Sequence, residues 1–237
     1  MHAFEWLMGE SPGRALRAQY DSGALERALP EVHKLYGVPQ PEAHHPEVDS
    51  GVHIELCLDA AARMNLSPAA RFAVLNHDLG KGITDPATWP SHFDHESTGV
   101  PLVKEVCRRF DVPAEWARVA LLVCKMHLQV HTSLSMRPQT ILGMFDSTGI
   151  VGDLVLREDF LGACEADARG RLGREDANYP QGKYLREAAE AVADLPNPGE
   201  NDGSARWQAE HRIRISAVKG VREKYLAAQK SHAVVCE

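Results

Sequence analysis

Apolar residues recur at helical spacing along almost the whole of this chain, while alternating, β-branched runs are scarce. That periodicity restricts the fold to helices packed on helices. Residues 13–29 read as two short helices broken at Asp21-Ser22-Gly23, and Gly37 to Pro46 is a Pro-rich connector. A helix is predicted from about Asp49 to Met64, with Val52, Leu56, Ala60 and Met64 among its apolar positions. Ser67-Pro68 is a strong start signal, an N-cap followed by Pro at the first helical position. That helix should run to about Leu79 and stop at Gly80, before a Gly- and Pro-rich loop over 80–94. Further helices are predicted over about 95–110, 114–130, 138–146, 157–170 and 182–194. A polar linker at 195–205 leads into a final helix from about Arg206 to Ala228, with a tail expected to fray. The expectation is an all-α fold with one domain over 1–195. The linker and C-terminal helix, 196–237, should pack on that domain or against a second copy in a homodimer.

At 237 residues the chain is long enough to bury a core of its own. Its formal net charge of -7 argues against a long, non-specific grip on nucleic-acid backbone, but leaves room for a local basic pocket around one phosphate. The cysteines at 57, 107, 124, 164 and 236 include no CxxC pair and sit mostly among apolar neighbours, as free thiols in a reducing cytosol would. No apolar run approaches the roughly 20 residues that cross a bilayer, and the N-terminus lacks the layout of a signal peptide. A cytoplasmic protein with no membrane partner is the expectation.

The chemistry concentrates at Asn76-His77-Asp78-Leu79-Gly80-Lys81-Gly82, which follows the apolar run Phe72-Ala73-Val74-Leu75. A carboxylate at the C-terminal end of an apolar helix faces the negative end of the helix dipole and has lost water. Asp78 therefore needs a positive partner there. Lys81 or Arg71 could supply it, since a His-Asp pair in isolation is common; a divalent cation would supply it with His77 as a second ligand. Gly80 would free the backbone to turn away, and Lys81 could reach a phosphate oxygen. His53 stands near the start of the preceding helix, so antiparallel packing should bring it beside His77. Asp167 lies on another apolar helix face, in Ala163-Cys164-Glu165-Ala166-Asp167, with Arg169 and Arg171 close behind. Taken alone it reads as a surface ion pair. Beside a metal, the two guanidinium groups would clamp phosphate oxygens. His95 at a helix start, and His127 with His131 at i, i+4, could hold a second metal or bind the scissile phosphate. Each could equally face solvent, as could His92.

His53, then His77-Asp78, then Asp167 resembles the H…HD…D pattern of the HD superfamily of metal-dependent phosphohydrolases. The segments HPEVDSGVHIELCLDAAARMNLSPAARFAVLNHDLGKG, WPSHFDHESTGVPLVKEVCRRFDVP and ACEADARGRLGREDANYPQGKYLREA look like the C-terminal HD domain of bacterial multifunctional CCA-adding enzymes. The likeness covers roughly residues 13–195 and, more loosely, the last helix. It implies an all-α HD domain with 2',3'-cyclic phosphodiesterase, 2'-nucleotidase and phosphatase activity on nucleotide or RNA-end phosphoesters. It implies a divalent metal, Ni, Mn, Co, Fe or Mg, on His53, His77, Asp78 and Asp167. It places phosphate or second-metal contacts on Lys81, His95, His127, Arg169 and Arg171, with Asp78, Lys81, His95 and His127 in the catalytic roles. The rival readings are a nucleotidase for free (deoxy)nucleotides and a non-catalytic nucleotide- or RNA-binding module. The nucleotidyltransferase head of those enzymes, with its Gly-rich strand-turn and paired Asp, has no counterpart before residue 49. The chain is therefore expected not to add CCA, and to be either a stand-alone relative or the HD part of a longer protein, with Met1 and a divergent N-terminus favouring the first.

Overall fold

The computed structural model describes residues 2–199 and 201–235, with side chains described for 3–199 and 201–227. A 3₁₀ turn at His2–Met8 precedes α1 (Pro12–Asp21), α2 (Ala24–Ala28) and α3 (Pro30–His33). After the connector come α4 (Ser50–Arg63), α5 (Pro68–Asn76), α6 (His95–Arg109) and α7 (Ala114–Thr132). Then follow α8 (Pro138–Thr148), α9 (Leu154–Arg169), α10 (Pro180–Ala193) and α11 (Ala205–Val235). Among the described residues there is no β-strand, only an isolated antiparallel bridge between Pro39 and Asp49, so the fold is all-α.

The caps explain where the site-bearing helices begin. Asp49 caps α4, its Oδ1 accepting from the N–H groups of Gly51 and Val52 at 2.8 and 3.0 Å. Ser67 Oγ accepts from Ala70 N–H at 3.1 Å and donates to Asp159 at 2.6 Å, which ties the start of α5 to α9. Three boundaries differ from the sequence reading. The helix α9 starts at Leu154 rather than near 157, because Asp153 Oδ1 accepts from Leu156 N–H at 3.0 Å and supplies a start signal. The helix α5 stops at Asn76, and the chain tightens through 3₁₀ turns at Leu79–Ile83 and Pro86–Thr88 in the stretch read as loop. The last helix continues to Val235, where fraying was expected after Ala228. Cys57, Cys124 and Cys164 are buried free thiols and Cys107 is half-buried; Cys236 lies outside the described residues.

The chain divides into two compact units that interleave in sequence, so no single cut separates them. The first takes residues up to His127 together with Glu158–Asn178. In it α1 and α5 pack on α4, over a core that includes Leu16, Ile54, Leu58, Phe72 and Leu75. Phe4 sets its ring edge-on to Phe72 at 4.9 Å and to Phe110 at 5.1 Å. The second unit takes Leu128–Arg157 and the chain from Tyr179 on. There α11 packs on α8 and α10, held by Arg214 to Asp146 at 3.0 Å and by the Tyr225 hydroxyl donating to Glu187 at 2.8 Å. No helix is long and apolar enough to cross a membrane among the described residues.

Candidate metal centre

Five segments of the first unit converge on one buried spot. His53 comes from the first turn of α4, His77 caps the end of α5, and Asp78 follows it. His95 is the first residue of α6, His127 lies on α7, and Asp167 is in the last turn of α9. All six side chains belong to residues no more than 6% exposed, a depth at which charge must be compensated.

They form two adjacent groups of donors, His53, His77 and Asp167 in one and Asp78, His95 and His127 in the other. In each, the ligand atoms all lie within 4.8 Å of one another. His53 Nε2 is 3.0 Å from Asp167 Oδ1, and His77 Nε2 is 3.8 Å from the same oxygen. Asp78 links the groups, with Oδ2 3.2 Å from His77 Nε2 and Oδ1 3.3 and 3.6 Å from the Nε2 atoms of His95 and His127.

The far sides of the rings show which atoms face inward. His77 Nδ1 donates to the Val74 carbonyl at 2.8 Å, His95 Nδ1 to the His92 carbonyl at 2.8 Å, and His127 Nδ1 to the Val123 carbonyl at 3.0 Å. His53 Nδ1 stands 2.9 Å from a Glu47 carboxylate oxygen. A neutral imidazole that donates from Nδ1 leaves a bare lone pair on Nε2. The Nε2 atoms of His77, His95 and His127 therefore turn inward with that of His53, towards two carboxylates and one another, His95 and His127 only 3.4 Å apart. Among the described residues, His77 Nε2 and Asp78 Oδ1 are buried with no hydrogen-bond partner in good geometry. The donor set fits a divalent cation: imidazole and carboxylate ligands, closely spaced, with their outer nitrogens anchored.

The local electrostatics agree. Burial disfavours the His77 imidazolium, but the carboxylates of Asp78 and Asp167 outweigh it and push its pKa up to about 9. Burial also raises the Asp78 carboxyl, and the charges on His77 and Lys81 reverse this and hold it well below the usual range. Without a cation, a proton on His77 takes its place. Two consequences follow in sign. Because its folded pKa is raised, His77 stabilises the metal-free protein fully below about 6.5, and that contribution is lost as pH rises through about 9. A metal must also displace the proton. Calorimetric titration at pH 7.5 in buffers of different ionisation enthalpy should show release of about one proton per metal, with apparent affinity rising about tenfold per pH unit up to about 9. Binding with no proton release would contradict this electrostatic account.

The remaining expected residues are distributed unevenly. Lys81 Nζ donates to Asp78 Oδ2 at 2.6 Å and to Gln40 Oε1 at 2.5 Å, so the pairing of Asp78 with Lys81 is made. Arg71 turns away, donating to the carbonyls of Leu66, Leu7 and Gly9. Arg171 comes within 3.9 Å of Asp167, one helical turn on. Arg169 pairs with Glu165 at 2.7 Å and lines a separate cavity of about 200 Å³ with Arg63, Glu175 and Asp176, to which no residue of the histidine cluster contributes. His131 belongs to the second unit and meets the Tyr179 hydroxyl at 2.8 Å. His92 bridges Thr84 and the Pro39 carbonyl at 2.7 and 2.8 Å. Sequence reasoning missed Gln40, inside the Pro-rich connector, and Glu47, the residue after it; no local signal marked either.

Residues 51–147 match the family described as HD domain. The chain is 47% identical over 186 residues to a multifunctional CCA protein of Pseudomonas syringae pv. syringae, covering 78% of this chain and 46% of that protein. It is 43% identical over 222 residues to one from Methylococcus capsulatus, covering 91% and 52%. A relative in Pseudomonas aeruginosa is 43% identical over 223 residues, covering 92% and 54%. The chain thus spans about half the length of the curated relatives it matches.

Proposed function

We propose, from the match of residues 51–147 to the HD-domain family and from the buried site, that this chain is a metal-dependent phosphohydrolase acting on nucleotide or RNA-end phosphoesters. The observation that carries this reading is the buried gap on which four histidine Nε2 atoms and two carboxylates converge, with His77 Nε2 and Asp78 Oδ1 lacking a hydrogen-bond partner in good geometry among the described residues. His53, His77, Asp78 and Asp167 would hold the cation, with Ni, Mn, Co, Fe or Mg suited to such ligands. When bound, the cation supplies Lewis acidity at phosphorus and makes water a competent nucleophile at neutral pH. Lys81 and Arg171 then balance charge on the phosphoryl oxygens, and Lys81 also keeps the Asp78 carboxylate in place. Arg169 would reach substrate only by leaving Glu165. His95 and His127 stand beside Asp78 Oδ1, where either, once protonated on Nε2, can hand that proton to the leaving oxygen, or the neutral rings can join Asp78 in holding a second cation.

Within that class, a 2',3'-cyclic phosphodiester or 2'-phosphate is the substrate we favour, on the likeness to CCA proteins and because a small ring phosphodiester needs only a compact pocket. The test is direct. The protein is stripped of metal, reloaded with Ni²⁺ or Mn²⁺, and offered 2',3'-cyclic AMP, 2'-AMP, 5'-AMP and a generic aryl phosphate. Turnover of the first two supports the proposal. Turnover of 5'-AMP alone moves the assignment to a nucleotidase for free nucleotides. No turnover with any metal would leave a nucleotide- or RNA-binding module.

A further inference from the structure

Three of the four inward-facing histidines are anchored by backbone carbonyls, and the fourth by a charge. His53 Nδ1 lies 2.9 Å from Glu47 Oε1, and the Glu47 side chain is 1% exposed. The same oxygen lies 3.0 Å from His45 Nδ1, while Oε2 accepts from the Leu172 N–H at 3.3 Å. Leu172 follows Asp167 by five residues, so one carboxylate grips a ligand on α4 and the chain leaving the ligand on α9. The Glu47 carboxyl is held well below its usual range: burial alone would raise it, and the bonds from His45 and His53 outweigh that.

The backbone is built to keep it there. Val48 adopts φ +60°, a left-handed conformation that is a genuine outlier for a β-branched residue. Strain of this kind persists only where the surroundings over-determine it. Here Gln40 N–H donates to the Val48 carbonyl at 2.6 Å, Ser50 N–H to the Val38 carbonyl at 2.9 Å, and Gly37 N–H to Asp49 Oδ2 at 2.6 Å. The turn at Val48 separates Glu47, which faces His53, from Asp49, which caps α4.

We propose that Glu47 is a positioning residue for the metal centre, fixing His53 with its proton on Nδ1 so that Nε2 faces Asp167, and strengthening Nε2 as a donor through the negative charge behind the ring. This rests on the metal reading above. A carbonyl orients a ring as well as a carboxylate does, but only the carboxylate draws the Nδ1 proton strongly enough to raise the ligand's basicity. Glu47 thereby makes His53, Asp167 and the loop after α9 a single mechanical unit.

The test uses the full chain, stripped of metal and titrated with Ni²⁺ or Mn²⁺ against a chromophoric chelator. Glu47→Gln, which keeps the shape and removes the charge, is expected to weaken binding about 10–100-fold. Turnover should recover at saturating metal, which a merely misfolded variant would not show. In ¹⁵N–¹H spectra of the metal-free protein, His53 should carry its proton on Nδ1 in the wild type and become a tautomer mixture in Glu47→Ala. The His77 signals, anchored by the Val74 carbonyl, should stay as they are. Wild-type affinity in both Glu47 variants, or a wild-type His53 protonated on Nε2 alone, overturns the proposal while leaving the metal reading intact. A wild type that binds neither metal sinks the metal reading and this proposal with it.

Discussion

Asp78→Asn is expected to abolish metal-dependent turnover while leaving a folded protein. Asp78 is the carboxylate that links the two donor groups, with Oδ2 beside His77 and Lys81 and Oδ1 beside His95 and His127. Asparagine has the same shape, so packing is kept, but it brings no charge and a poorer ligand. A loss of several kcal/mol of transition-state stabilisation corresponds to about a 10³-fold fall in rate or more. The fold should survive because Lys81, only 7% exposed, keeps Gln40 Oε1 and gains the neutral amide oxygen in place of the carboxylate. It will be less stable, since the buried ammonium loses its countercharge. Thermal melts with and without metal separate the two effects. Saturating metal should raise the wild-type midpoint, worth about 4 kcal/mol at a thousand times Kd, and should leave the variant unmoved. A variant with full turnover, or with the wild-type metal-induced shift, would falsify the assignment of Asp78.

Gly80→Ala should be the most disruptive methyl that can be added near the site. A Cβ there would run into the carbonyl oxygen of His95, 2.8 Å from its carbonyl carbon and 2.9 Å from the Gly99 nitrogen. These are backbone atoms of α6, and no rotamer change moves them aside. The helix must shift, at a cost of about 1–3 kcal/mol and here toward the upper end. Because His95 is the first residue of α6, the same shift draws it off Asp78. Urea denaturation should show a lower midpoint with an unchanged slope, and metal loading should weaken. Gly143→Ala is the control. It lies in α8 with nothing within 4 Å of its added Cβ, so replacing glycine should stabilise by about 0.5–1 kcal/mol. Equal behaviour of the two variants would refute the close-approach account of Gly80.

Gly80 also marks a limit of sequence reasoning. In the sequence it reads as the residue that lets the chain turn away after the helix. In the structure it is not among the glycines with positive φ, and its lack of a side chain serves contact with α6 instead. That requirement comes from a helix beginning fifteen residues later, so no local signal could carry it. The expected meeting of His53 and His77 was legible, because antiparallel neighbours put a start beside an end; their rings are 5.7 Å apart.

The sequence by itself determined the helical class, the capped start of α5, and the pairing of His77 with Asp78 at the end of a buried helix. Each of these depends on residues within a few positions of one another, through the 3.6-residue period, a cap or the helix dipole. Tertiary structure alone decided which polar residues share the gap. It brought His127 to Asp78 and placed its i+4 neighbour His131 on Tyr179. It set Arg171 near Asp167 and Arg169 on Glu165. It drew Gln40 from the Pro-rich connector, and Glu47 from just beyond it, into contact with Lys81 and His53. The reason is distance along the chain: side chains that meet within about a hydrogen bond's length are separated here by as many as 114 residues, as for His53 and Asp167. Over such spans only the packing of whole helices can specify a contact.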